Sequence, residues 1–287
     1  MKELSPELVK ELRLKANQIR RDICITTSKL PYAHLGGGMS MTDMVTALYY
    51  DVLNFDPKDP RNPDRDRFVL SKGHCAHVLY NVLVDLGLYT KEELWSEYNQ
   101  IHGRFGMHPN YLYLPGIDAS TGSLGQGISA AAGMAKGAKY LDKDINVYTL
   151  LGDGEIEEGQ VWEAMMFASQ YKLDNLCVIV DVNGLQIDGK CEDVMNAEPI
   201  DKKMEAFGLN VIKINGNDFD ELEKAFNAFH ENIGSGKPFG IIMKTVKGLG
   251  VSYMENQVGW HGKAPNDAEY EIAMNELKAK LAEIEEA

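Results

Sequence analysis

The segment Tyr148-Thr149-Leu150-Leu151-Gly152-Asp153-Gly154 ends an apolar run in a carboxylate between two glycines. Glycines allow a tight turn and let a ligand approach the backbone. At the carboxyl end of a strand in an open α/β sheet, Asp153 would face a ligand crevice. Taken alone, the triplet reads as a βα turn whose aspartate caps the next helix. A second apolar run, Val178-Ile179-Val180-Asp181-Val182, ends at Asn183. Taken alone, Asn183 reads as a turn residue before Gly184. Together, a carboxylate and an amide oxygen from neighbouring strand ends form a hard, all-oxygen site that suits Mg²⁺ or Ca²⁺ and not zinc. Two side chains are too few for Mg²⁺, which commonly completes its octahedron with phosphate oxygens. The pair therefore implies a phosphorylated cofactor.

The elements that must position these groups are an alternation of strands and helices. Arg67–Ser71, Asn146–Leu151, Asn175–Val182, Asn210–Ile214 and Phe239–Lys244 read as strands. Gly159–Tyr171, Asp201–Phe207 and a helix capped by Asp218 read as the intervening helices. That spacing predicts an α/β fold with a parallel sheet and helices on both faces. One domain is expected over 1–287, with a helical part over 1–65 and a closing helix over 266–286. In the helical part, Ser5-Pro6-Glu7 opens one helix. Ser40 with Asp43 resembles the cap of a second, and Gly36-Gly37-Gly38 reads as a turn before it. Thr90 with Glu93 is a capping box. The stretch 102–127 is glycine-rich and reads as loop. Glu155, Glu157 and Glu158 read as a charge run favourable to a helix start.

The chain has 287 residues, with 29 Lys and Arg against 43 Asp and Glu, a formal charge of −14. Such a chain repels nucleic acid and anionic membrane, so neither is an expected partner. Any bound phosphate must be held by local donors. The four cysteines form no C-x-x-C pair and no disulfide framework. No apolar stretch reaches 18 residues, so no membrane span is expected and the cytoplasm is the expected location.

The ordered segments AHLGGGMSMTD, DRFVLSKGHCAHVLY, GMHPN, ASTGSLGQGISAAAGMA, GDGEIEEGQVWEA, VDVNGLQIDG and GWHGKAP resemble the transketolase family over roughly residues 20–265. The resemblance implies thiamine diphosphate as cofactor, in its diphosphate-binding domain fold. It implies Mg²⁺, with Ca²⁺ or Mn²⁺ as substitutes, held by Asp153, Asn183 and the main-chain carbonyl of Leu185. Gly154 would offer its N–H to the diphosphate, and Gly152 and Glu155 are expected beside it. His74 and His261 resemble the histidines that reach the diphosphate. Gly122, Ser123 and Leu124 match the loop along the cofactor. His34 and His108 match histidines that handle protons near the reacting carbon, and His261 is expected to act there too. Glu158 matches an acid that couples paired sites across a dimer interface. Four of the seven histidines thus fall in register with one pattern. His77, His102 and His230 do not match it. His77, one turn after His74, is expected behind the site, and His230 on a helix face.

The implied activity is transfer of a two-carbon ketol unit between a ketose phosphate and an aldose phosphate, within carbohydrate metabolism of the pentose phosphate type. The resemblance covers only the diphosphate-binding domain. The pyrimidine-binding domain, with the glutamate that activates the cofactor, is expected on a separate chain in an α₂β₂ heterotetramer. The departures are Ala33-His34-Leu35-Gly36, His108-Pro109-Asn110 and Asp181-Val182-Asn183 where the family has G-H-P-G, H-P-E and D-D-N; none removes a metal ligand. The alternatives are a subunit of 1-deoxyxylulose-5-phosphate synthase or 2-oxoacid dehydrogenase type, a non-catalytic cofactor-binding paralogue, and a phosphate-metal enzyme unrelated to thiamine.

Overall fold

The computed structural model describes residues 4–286; residues 1–3 and Ala287, the ends of the expected 1–287 span, lie outside them. Two helices lead, α1 (Pro6–Thr27) and α2 (Leu35–Ala47). Strand β1 (Arg67–Leu70) follows, then α3 (Ala76–Asp85), α4 (Lys91–Glu97), a long irregular stretch and α5 (Gly127–Tyr140). The central alternation is β2 (Val147–Gly152), α6 (Gly159–Gln170) and β3 (Leu176–Val182). A two-stranded hairpin of β4 (Leu185–Gln186) and β5 (Gly189–Lys190) runs into the single turn α7 (Cys191–Val194). The remaining elements are α8 (Ile200–Ala206), β6 (Asn210–Asn215), α9 (Phe219–Asn232), β7 (Phe239–Lys244) and α10 (Asp267–Glu286).

The five long strands form one parallel sheet in the order β1-β2-β3-β7-β6. Both faces are buried, as parallel sheets require. Successive side chains along a strand point to opposite faces, and the two cores follow that alternation. Phe68, Leu70, Tyr148, Leu150, Cys177 and Ile179 pack with α1, α2, α3 and α9. Val69, Val147, Leu151, Val178 and Val180 pack on the other side with α5, α6 and α8. The expected parallel sheet with helices on both faces is the observed architecture.

Three helix starts have the expected caps. The Ser5 hydroxyl accepts from Leu8 N, Thr90 and Glu93 form a reciprocal box, and Asp218 accepts from Asp220 N and Glu221 N. Helix α2 differs from expectation. It begins at Leu35, so Gly36, Gly37 and Gly38 lie inside the helix and not in a turn. Each glycine costs a helix about 1 kcal/mol relative to alanine, and close packing explains why they stand there. A Cβ on Gly36 would come within 2.9 Å of Lys247 Cγ and of the Trp260 carbonyl, and one on Gly38 would collide with His77 Nε2. Ser40 is therefore not a cap. Its hydroxyl is buried and donates to the Gly37 carbonyl (3.0 Å) and to Asp181 Oδ2 (2.6 Å).

Candidate functional site

Four neighbouring strands deliver their carboxyl ends to one place. Beyond β1 come Lys72 and His74; beyond β2, Asp153; beyond β3, Asn183 and the β4 residue Leu185; beyond β7, Lys247. His34 arrives from above at the start of α2, and His261 from the segment before α10. The cavity among them has a volume of about 330 Å³. A larger groove of about 840 Å³ lies between α1 and α10, away from these groups, so chemistry and not size selects the site.

The floor is a buried polar network. Asp181 is fully buried and accepts from Ser40, Thr245 and the ammonium of Lys72, which also donates to the Gly37 carbonyl at 2.9 Å. Burial opposes both charges, but the Asp181 carboxylate holds the Lys72 ammonium up to about 12, and Lys72 with the hydroxyl donors holds Asp181 below the usual carboxylate range. Both therefore stay charged. Removing one partner of such a buried pair typically costs about 3–5 kcal/mol.

Asp153 sits on this floor at 5% exposure. Its Oδ1 accepts from Gly154 N at 3.0 Å and its Oδ2 from Gly184 N at 2.6 Å. Burial, reinforced by the negative Asp181, pushes its carboxyl up to about 6. A carboxylate so disfavoured gains from a cation beside it. Asn183 Oδ1 caps its own turn, accepting from Leu185 N at 3.2 Å. The Leu185 carbonyl accepts from Lys247 Nζ at 3.0 Å. The expected metal ligands Asp153, Asn183 and Leu185 all line the cavity. Among the described residues no group of three His, Cys, Asp or Glu could hold a metal ion, so a cation here needs amide, carbonyl and cofactor oxygens.

The wall opposite is imidazole. The rings of His34 and His74 lie 5.0 Å apart, His34 and His261 5.7 Å, His74 and His261 5.4 Å in a stack, and His34 and His108 6.5 Å. The four histidines expected to act together do meet. His77 is buried behind Gly38, its ring nitrogens without a protein partner. His230, on α9, hydrogen-bonds Tyr148 of β2, away from the cavity, and His102 is exposed in the loop after α4. Burial lowers His34 to about 4, helped by the neighbouring His108 ring, whose protonation would oppose its own, and by the Lys247 ammonium. Burial and Lys247 lower His261 to about 3, and burial and Lys72 hold His74 well below its ordinary value. All three are neutral at pH 7. The Lys247 ammonium has only protons to give, so at 2.8 Å it donates to His261 Nδ1. His261 then carries its proton on Nε2, as a second donor.

The remaining expected residues divide. Gly122 and Leu124 line the cavity, whereas Ser123 is exposed outside it. Gly122 has φ +141°, and a Cβ there would strike the His108 ring at 2.7 Å. Gly152, Gly154 and Glu155 line the cavity, but the carboxylate of Glu155 is spent within the protein. It accepts from the Ser71 hydroxyl, from Gly125 N (2.9 Å) and from Gly152 N (3.1 Å). At 2% exposure it is a brace between the β1, β2 and Gly125 segments, not an exposed charge at a helix start. Glu158 is exposed at the start of α6 and does not reach the cavity. Lys72, Lys247 and Gln186 also line the cavity and were not anticipated. Lysines in short polar runs read as solvated, and only the glycines around Lys72 and Lys247 hinted at close quarters.

The family described as "Transketolase, thiamine diphosphate binding domain" matches residues 13–282. The chain belongs to the transketolase family. It is 41% identical, over 93% of its length and 96% of the relative's, to a protein of Actinobacillus succinogenes named as one subunit of an apulose-4-phosphate transketolase. It is 38% identical, over 95% of its length and 98% of the relative's, to a 6-deoxy-6-sulfo-D-fructose transketolase subunit of Clostridium sp.. The solved transketolase of Leishmania mexicana superposes with a TM-score of 0.81 at 28% identity, over 97% of this chain and 46% of that one. The chain thus spans less than half of that transketolase and nearly all of the two subunits. The site fits a transketolase's thiamine diphosphate: imidazoles and the Lys247 ammonium, as donors, face the Asp153 carboxylate, whose charge burial disfavours.

Proposed function

We propose that this chain is the diphosphate-binding subunit of a two-chain transketolase, which moves a two-carbon ketol unit from a ketose phosphate to an aldose phosphate. The observation that carries the reading is the meeting of Asp153, Asn183 and the Leu185 carbonyl with His74, His261 and Lys247 in one cavity. The first three would hold a divalent ion, Mg²⁺ by their hard oxygen chemistry, with Ca²⁺ or Mn²⁺ as substitutes. The last three would donate to the diphosphate. Gly154 N, at the head of the turn after β2, would turn from Asp153 Oδ1 to the diphosphate as a backbone donor, with Gly122 and Leu124 alongside the cofactor. When bound, thiamine diphosphate supplies the electron sink for breaking and making the carbon–carbon bond. The chain's own residues position it and exclude water. His34 and His108, neutral and adjacent, would take and return a proton at the substrate's oxygens; His261 stands close enough to share that work. The two cores share one sheet, which supports treating the chain as a single domain.

The partner would be a separate chain carrying the pyrimidine-binding domain. Glu158, exposed at the start of α6, is available to a second copy, in keeping with an α₂β₂ assembly. No helix among the described residues is long and apolar enough to cross a membrane, and the reading places the protein in the cytoplasm. The test is reconstitution. The purified chain should show no ketol transfer, and adding the pyrimidine-domain subunit with Mg²⁺ and thiamine diphosphate should produce it. Sustained turnover by the single chain would overturn the reading.

A further inference from the structure

His34 is held at one nitrogen only. The residue is 9% exposed, and its Nδ1 is buried without a hydrogen-bond partner. Its Nε2 lies 3.0 Å from the Tyr32 hydroxyl. As the residue preceding α2, His34 makes no side-chain capping bond. The Tyr32 ring meets the His34 ring edge-on, with centroids 4.9 Å apart and planes at 85°. The same ring lies against the backbone next to His261: a Cβ on Gly262 would stand 2.8 Å from its Cε2 and 2.9 Å from its hydroxyl. Tyr32 itself is 43% exposed. It therefore touches two histidine-bearing segments while one side of it stays open to solvent.

From this geometry we propose that Tyr32 is a positioning residue for His34, fixing the ring and its tautomer through Nε2. A buried N–H without an acceptor is rarer in proteins than a buried lone pair without a donor. The unpartnered Nδ1 is therefore the bare nitrogen. The proton sits on Nε2 and is donated to the Tyr32 oxygen. The Tyr32 proton is then free to point outward to solvent. Without the hydroxyl, His34 has no polar anchor, and either nitrogen can carry the proton. The consequence for catalysis rests on the ketol-transfer reading above; the control of the tautomer does not.

The test uses ¹⁵N-histidine-labelled chain and the Tyr32→Phe variant, which keeps the ring. In the unaltered chain, His34 should show one protonated and one bare nitrogen, with Nε2 protonated. In Tyr32→Phe the two signals should move toward an average. Gly262→Ala, which pushes the tyrosine ring away while leaving its hydroxyl, should move them in the same direction. In the assembled complex, Tyr32→Phe should lower kcat about fivefold, the worth of one ordinary hydrogen bond. It should leave the half-saturating thiamine diphosphate concentration unchanged and displace the acid limb of the pH profile. An identical ¹⁵N pattern in both variants overturns the proposal, whatever the activity. A changed pattern in a protein that shows no ketol transfer with its partner upholds the role of Tyr32 and overturns the functional reading instead.

Discussion

Lys247 joins the parts of the site that would bind unlike charges. Its ammonium touches the Leu185 carbonyl on the side of the expected cation and His261 on the side of the expected anion. Burial, with the nearby Lys72 charge, lowers it to about 8. The charged form lies below that pH and is the form that attracts a diphosphate. Affinity for thiamine diphosphate should therefore be full near pH 7 and fall as pH rises through about 8. One required proton gives at most about a tenfold loss per pH unit. Calorimetric titration of the assembled complex from pH 7 upward would show the decline, and Lys247→Met should bind more weakly with that slope gone. A slope that survives in Lys247→Met would assign the titration elsewhere. At the residue level, legibility followed chemistry that local sequence can display. Asp153 and Asn183 stand at the ends of apolar runs and declare themselves. Lys247, Lys72 and Tyr32 do not, because their significance lies in burial and in partners as distant as Asp181.

Helix α2 shows what an element can hide. All thirteen of its residues are buried, and its glycines press on Lys247 (Gly36), Lys72 and His74 (Gly37) and His77 (Gly38). Helix propensity alone would start it at Ser40, after the glycines. Tertiary contact overrides propensity here because a side chain on this face has nowhere to go. Gly38→Ala should therefore destabilise the protein by about 1–2 kcal/mol, the overpacking cost exceeding the gain in propensity. Gly133→Ala is the control. It lies within α5 with nothing near its added Cβ and should stabilise by about 0.5–1 kcal/mol. Denaturation midpoints would decide; stabilisation by both substitutions would show that the α2 contact yields easily. By contrast, β2, β3 and β7 were readable to within a residue or two. Their apolar runs are buried on both faces and bounded by turn residues, so period and burial agree. The β4–β5 hairpin and α7 were not anticipated, since two-residue strands carry no periodicity.

On the scale of the molecule, a net charge of −14 surrounds a site lined by two lysines and four imidazoles. The acidity opposes polyanions while the cavity retains local donors, so on the proposed reading binding would depend on metal and cofactor together. In the complex, thiamine diphosphate with Mg²⁺ at about a hundred times its dissociation constant should add about 2.7 kcal/mol to stability. At about 2.1 cal/mol/K of unfolding entropy per residue, for a chain of 287 residues that is a rise of about 4–5 °C in Tm. A chelator should reverse the rise, and Asp153→Asn should abolish it. An equal rise in Asp153→Asn, followed by thermal melting, would remove Asp153 from the metal site. The alternation of strands and helices sufficed for the fold class, because the order of elements nearly dictates a parallel sheet. It could not show that β7 slots between β3 and β6, the pairing that brings Lys247 beside Leu185.

That pairing has a consequence for how the protein comes into being. The groups around the cavity are drawn from His34 at one extreme and His261 at the other, with four strand ends between them. Contacts so distant along the chain form late in folding, because their loops are long to close. No nascent hairpin or early helical cluster holds more than a fragment of the grip. The cofactor therefore acts as an inspector of finished molecules: it can be retained only by chains in which every crossover has been made.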